Sequence, residues 1–178
     1  MEDLQTLFFR RKENGKKTAI AADCVIVATG GMSYPSTGST GDGYQWAQDA
    51  GLKVTALLPA LVPFEAAELE TVKSLQGLSL KNVEAAISNG KKELYRDFGE
   101  MLFTHFGVSG PVVLSASSYA AGRIKKAPLL LEIDLKPALS REQLDARILR
   151  DFSEAKNKQF KNALNHLYPS KMIPVMIA

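Results

Sequence analysis

The chain has 178 residues, 46% of them hydrophobic and 23% charged, which is the composition of a globular protein long enough for one full domain or two small ones. Its 22 basic and 19 acidic residues leave a net charge of +3, and the basic residues fall in separated groups, such as Arg10 to Lys12, Lys91-Lys92 and Lys125-Lys126, so no nucleic-acid partner is expected. No apolar run nears the ~18 residues that cross a bilayer, no signal sequence opens the chain, and the lone Cys24 excludes an internal disulfide, so a cytoplasmic protein without a membrane partner is expected.

Residues 4–9, LQTLFF, read as a strand, and Asn14-Gly15 is a hairpin signal ahead of the small and apolar residues at 19–28. The first thirty residues therefore predict antiparallel strands. Within them the run Cys24 to Ala28 does not alternate, which predicts a strand buried on both faces with Cys24 as a small buried side chain. DGYQWAQDAG, 42–51, places Tyr44, Ala47 and Ala50 at helical spacing with Gly51 as the stop. Pro59 and Pro63 then predict an extended crossing between domains.

Beyond that crossing, Asn89-Gly90 is a second hairpin signal between strand-like stretches. Pro111, after Ser109 and Gly110, suits the first turn of a helix that Gly122 should stop. PLLLEIDL, 128–135, is a strand, and Ser140 with Gln143 forms a capping box for a helix to about residue 152. NKQFKNALNHLY, 157–168, predicts another helix. The apolar ending MIPVMIA is expected to dock into a core, or to self-associate if left uncovered.

The loop TGGMSYPSTGSTGDG, 29–43, concentrates backbone with little side chain. It admits two readings: a ledge on which a flat or anionic ligand lies, with the following helix adding amide donors, or a long connection whose glycines satisfy turns. GSTGDG reverses the spacing of G-x-G-x-x-G, and no P-loop motif occurs. A nucleotide-phosphate binder using residues 36–43 is a further reading. His105, between Phe103 and Phe106, is expected to be partly buried rather than a catalytic base, and His166 to lie at the surface. Asp97, Glu100, Glu132 and Asp134 are expected in solvated or salt-bridged roles, Ser109 at a helix start rather than as a nucleophile, and the Phe and Met residues of 98–106 in the core. Ligand spacing for a metal is absent.

Four phrases in order, VIVATGGMSYPSTGSTGDGYQWAQDAG, PALVPF, LQGLSLKNV and GEMLFTHFGVSGPVVLSAS, resemble the middle portion of the BaiN/YhiN-like flavoproteins, also called the aminoacetone oxidase family of FAD-binding proteins. The resemblance implies a mixed α+β and α/β architecture: residues 1–58 as part of a glutathione-reductase-type, Rossmann-like FAD-binding domain, and 59–178 as an inserted strand-and-helix domain governing substrate access. It implies FAD as cofactor, contacted by Thr29, Gly30 and Gly31 with Ser33 and Tyr34 adjacent, an unknown small-molecule substrate, and NAD(P)H as a candidate electron donor. Such proteins also hold the FAD pyrophosphate with an earlier strand and glycine turn and close over the flavin with a later segment, and neither is legible here. The chain is thus expected to be an internal piece of an FAD-dependent oxidoreductase, colourless and inactive alone. The alternative is a non-catalytic folding or interaction module.

Overall fold

A computed structural model describes residues 8–10, 17–19 and 22–177. Two compact units divide at Ala56 and Leu57.

In the first unit, strands β1 (Phe8–Arg10) and β2 (Lys17–Ala19) pair antiparallel with Phe9 opposite Thr18. The Asn14-Gly15 turn signal lies outside the described residues. Residues 24–31 do not form the expected strand. A strand is held by ladder bonds to neighbours, and among the described residues this apolar run pairs with none. Its side chains stand in solvent accordingly. Ile26 is 91% exposed, Val25 and Val27 are exposed too, and Cys24 is exposed rather than buried.

A 3-10 turn at Pro35–Thr37 and helix α1 (Asp42–Asp49) follow. The predicted stop holds in detail. Gly51, at φ 78°, donates to Gln48, and Leu52 donates to Ala47 at 2.9 Å, so two terminal carbonyls of α1 are satisfied.

The second unit is a five-stranded antiparallel sheet with helices packed on it. Its strands are β3 (Phe64–Glu65), β4 (Ser79–Ser88), β5 (Glu93–Phe103), β6 (Gly107–Ser109) and β7 (Leu130–Asp134), in the order β3-β6-β5-β4-β7. The β4–β5 turn is the one Asn89-Gly90 predicts. Gly90 has φ 80°, and Asn89 Oδ1 accepts from the amides of Lys91 at 3.1 Å and Lys92 at 2.8 Å. Arg96 on β5 joins Glu84 across the strands and Glu93 three residues back.

Short helix α2 (Leu69–Ser74) precedes β4, and helix α3 (Pro111–Ile124) lies against β5 and β4. Gly110 starts α3 at φ 101°, and a Cβ there would stand 2.8 Å from the Met101 Cα, so only glycine fits. The helix continues through Gly122 to Ile124 instead of stopping. An interior glycine costs about 1 kcal/mol against alanine, less than the burial of Val112, Val113, Ala116, Ala120 and Ala121 along the same helix returns.

The main core joins Val72, Leu80, Val83, Met101, Phe103 and Val113, with Met172 from the chain's end packed among them. Phe98, expected with this cluster, is exposed.

Helix α4 (Arg141–Glu154) opens with the predicted capping box: the Gln143 amide donates to Ser140 Oγ, and the Ser140 amide donates back to Gln143 Oε1. The helix predicted for 157–168 is broken into α5 (Phe160–Ala163) and a 3-10 turn at Leu164–His166. Three asparagines in that stretch weaken an α-helix. α6 (Ile173–Met176) follows, and Leu164, Leu167 and Ile173 pack with Ile148 and Phe152 as a second core. The apolar ending is thus half docked. Met172 and Ile173 are buried, while Met176 and Ile177 are exposed. No described helix is long and apolar enough to cross a membrane.

Candidate functional site

The loop from Thr29 to Gly43 turns on itself rather than lying open. The Tyr34 carbonyl accepts from the Thr37 amide at 3.0 Å, the Thr37 hydroxyl at 2.9 Å and the Ser39 amide at 3.3 Å, which seats the 3-10 turn. The Tyr34 side chain is exposed, and its hydroxyl bonds to no described residue.

The first turn of α1 then packs back on the beginning of the loop. A Cβ at Gly43 would fall 2.5 Å from Thr29 Oγ1, one at Gly41 would fall 2.8 Å from Met32 Cγ, and one at Gly31 would fall 3.3 Å from the Tyr44 hydroxyl. Gly30, at φ 71°, faces Ser39 Oγ at 3.0 Å in the same sense. Four glycines thus have side chains of their own loop where a Cβ would stand. At the doubled glycine itself, Gly31 is half-buried beside Tyr44, while Gly30 is exposed with Ser39 standing where its Cβ would be.

What the loop does present is donors. None of the main-chain amides from Thr29 to Tyr34 donates a hydrogen bond to a described residue. A row of amides with no acceptor among the described residues suits a ligand rich in acceptors, as a dinucleotide with its pyrophosphate is. The donor chemistry therefore fits FAD. Thr29, Gly30, Gly31, Ser33 and Tyr34 all lie on this stretch, with Met32 between Gly31 and Ser33, and Tyr44 stands beside Gly31; a hydroxyl three residues into a helix carries no sequence signal of that contact.

Other candidates are dispersed. His105 is exposed, not partly buried, and its ring meets the edge of Phe106 with centroids 4.9 Å apart. His166 is at the surface as expected. Asp97 accepts from the Tyr95 hydroxyl at 2.8 Å, Glu100 from Ser79 at 2.6 Å, and Asp134 from the Lys136 amide at 2.8 Å. Tyr95 ionises above the ordinary tyrosine range, chiefly through burial and then through its bond to Asp97. Ser109 lies on β6 before the start of α3. Among the described residues no group of His, Cys, Asp and Glu could hold a metal ion.

The comparisons with known proteins agree on one lineage. A family model described as HI0933-like protein barrel and H2TH domain matches residues 58–178. The chain is 34% identical over 157 residues to the ribosomal RNA dihydrouridine synthase of Escherichia coli, covering 86% of this chain and 36% of that protein. It is 34% identical over 154 residues to the protein of the same name in Haemophilus influenzae, covering 86% and 35%. A 3-dehydro-bile acid delta(4,6)-reductase of Clostridium scindens matches at 28% over 157 residues, covering 88% and 38%. The chain spans little more than a third of the length of these relatives. It belongs to the HI0933-like family, which bears out the BaiN/YhiN-like resemblance of its sequence.

Proposed function

We propose that this chain is part of an FAD-dependent oxidoreductase that reduces a carbon–carbon double bond conjugated to a carbonyl, with uridine in ribosomal RNA as its substrate. The observation that carries the flavin assignment is the row of amides at Thr29 to Tyr34 that donate to no described residue, in a member of this family. The reaction class follows from what the relatives' names have in common. Dihydrouridine is uridine with its C5–C6 double bond reduced, and a 3-oxo steroid with Δ4 and Δ6 unsaturation has its double bonds conjugated to the ketone. Both are polarised alkenes that accept hydride at the carbon remote from the carbonyl. Bound FAD, once reduced, supplies that hydride, and NAD(P)H is the candidate source of the electrons.

The residues of this chain have binding and orienting roles. The amides of Thr29, Gly30, Gly31, Ser33 and Tyr34 hold acceptor atoms of the dinucleotide, and α1, locked to Thr29 and Met32 through Gly43 and Gly41, keeps that stretch from relaxing.

The RNA reading departs from the sequence-based expectation of no nucleic-acid partner and rests on two relatives at 34% identity. The steroid reading rests on one at 28%. The test is to express the chain within its full reading frame, record flavin absorbance, and assay reduction with ribosomal RNA and with a 3-oxo-Δ4,6 steroid. Flavin absorbance with uridine reduction supports the proposal. A folded, flavin-free product overturns the cofactor assignment and favours a non-catalytic module; turnover of the steroid alone overturns the RNA assignment.

A further inference from the structure

Charge is distributed unevenly along the chain. From Ala155 to the end there is no Asp or Glu, against four lysines, which leaves the first 154 residues with 18 basic and 19 acidic side chains. The stretch after α4 therefore carries more than the whole net charge of the protein.

Its placement is as specific as its composition. Lys156 and Lys158 lie on the turn joining α4 to α5, Lys161 lies in α5, and all three are exposed and paired with no carboxylate among the described residues. Lys171, by contrast, donates to the Gln76 carbonyl. Arg147 and Arg150 on the neighbouring helix stand 3.6 Å and 3.5 Å from the buried carboxylate of Asp151. Of the four lysines after α4, Lys156, Lys158 and Lys161 are thus the ones without a partner among the described residues.

Between them stands Phe160. Its ring is 62% exposed although it leans on Phe152, with centroids 6.0 Å apart and planes 24° from parallel. Burial would have been the cheaper arrangement for a phenylalanine next to an apolar core. An outward ring flanked by lysines, with Asn157, Gln159 and Asn162 exposed beside it, matches the requirements of a nucleic-acid strand: cations for phosphates, a flat apolar face for a base, and amides for base edges.

We infer that the α4–α5 turn, through Lys156, Lys158, Lys161 and the face of Phe160, binds the RNA substrate, with the lysines on phosphates and the ring stacked on an unpaired base. This inference rests on the RNA reading of the function and adds to it a contact surface. An anionic lipid surface would also attract lysines, but the RNA-modifying relatives and the exposed amides favour RNA.

The test uses the full-length protein carrying its flavin and a fluorescent RNA hairpin with a uridine-rich loop, titrated at several salt concentrations. The variant Lys156→Gln/Lys158→Gln/Lys161→Gln should flatten the slope of log K against log salt by about 2, the release expected for three phosphates of a single strand. Phe160→Ala should weaken binding by roughly five- to 150-fold at fixed salt, the range for one stacked base. Replacing the three lysines by arginine should keep both affinity and slope, and unchanged flavin absorbance verifies that each variant is folded.

If the parent protein binds the hairpin and the glutamine variant binds it with the same affinity and slope, this surface is not the contact, while the RNA reading stands. If Phe160→Ala alone has no effect, the stacking assignment is overturned. If the parent protein ignores the hairpin, the RNA reading falls together with the inference. Variant-sensitive binding to phosphatidylglycerol vesicles in that last case identifies the turn as a lipid contact.

Discussion

The Val62 amide donates to Ser117 Oγ at 3.0 Å, and the same hydroxyl donates to the Leu114 carbonyl at 2.7 Å. Ser117 is fully buried in α3, and Val62 follows Leu61, which holds a left-handed φ of 54° that a leucine adopts only under constraint. A single buried hydroxyl thus pins the proline-flanked segment 59–63 onto the helix of its own unit.

Ser117→Ala removes the acceptor and leaves the Val62 amide unpaired. The expected cost is about 1–3 kcal/mol in urea unfolding, the penalty of an unsatisfied buried donor, with no change in the slope of the transition. Ser117→Thr, which retains the hydroxyl, should cost less unless its extra methyl overpacks the helix face. Hydrogen exchange at the Val62 amide reads the lost bond directly: it should accelerate in the alanine variant.

The glycines of the loop separate by what surrounds them. Gly43→Val places methyl groups where Thr29 Oγ1 stands 2.5 Å from a Cβ and Val27 Cγ1 stands 3.3 Å away, so the loop must part from α1. Flavin retention in the full-length protein should fall more than tenfold. Gly38→Ala meets nothing within 4 Å and bears only the left-handed strain of its φ of 97°, about 1–2 kcal/mol, with flavin retained. Equal flavin loss in both variants would disprove the assignment of the packed glycines to the site.

Ser140→Ala removes the half of the capping box in which Ser140 Oγ accepts from the Gln143 amide, and leaves the Ser140 amide still able to donate to Gln143 Oε1. About 1 kcal/mol of stability should be lost, and Gln143 should lose its amide protection in hydrogen exchange. The Glu142 carboxyl, held below the ordinary carboxylate range chiefly by the Ser140 hydroxyl, should titrate at higher pH in this variant; an NMR titration of the carboxyl carbon measures it.

Glu93 is also held below the ordinary range, first by the hydrogen bond from Arg96. Its pKa is lower folded than unfolded, so the stabilisation is full above the unfolded value and disappears as pH falls through the folded one. Arg96→Gln should return the Glu93 titration to the ordinary range and flatten the acid side of the stability profile. An unchanged Glu93 midpoint in that variant would contradict the assignment. The pair is exposed, so raising the salt should weaken the effect.

Local chemistry made several elements legible before any coordinates. Asn89-Gly90 specifies its turn because glycine accepts the left-handed backbone and asparagine bonds the amides that follow. Ser140 and Gln143 specify the start of α4 because both partners of the capping box lie within four residues. Gly51 stops α1 for the same local reason. Gly122 misled because its cost is local and small, whereas the packing that outweighs it comes from strands far away in sequence. The run Cys24 to Ala28 misled because apolarity states a demand for partners without supplying them.

The candidate site divides along the same line. The sequence by itself determined that Thr29 to Gly43 would be a glycine-rich loop and that α1 would begin at Asp42, and its phrases identified the family. It could not reveal that Gly41 and Gly43 serve contacts with Met32 and Thr29, that Tyr44 faces Gly31, or that Phe160 remains outside the second core beside three lysines that pair with no carboxylate among the described residues. Those outcomes depend on which surfaces meet. Turn and cap preferences are settled by a residue and its immediate neighbours, but the position of a ring or an amide relative to solvent is settled only when distant segments compete for the same space.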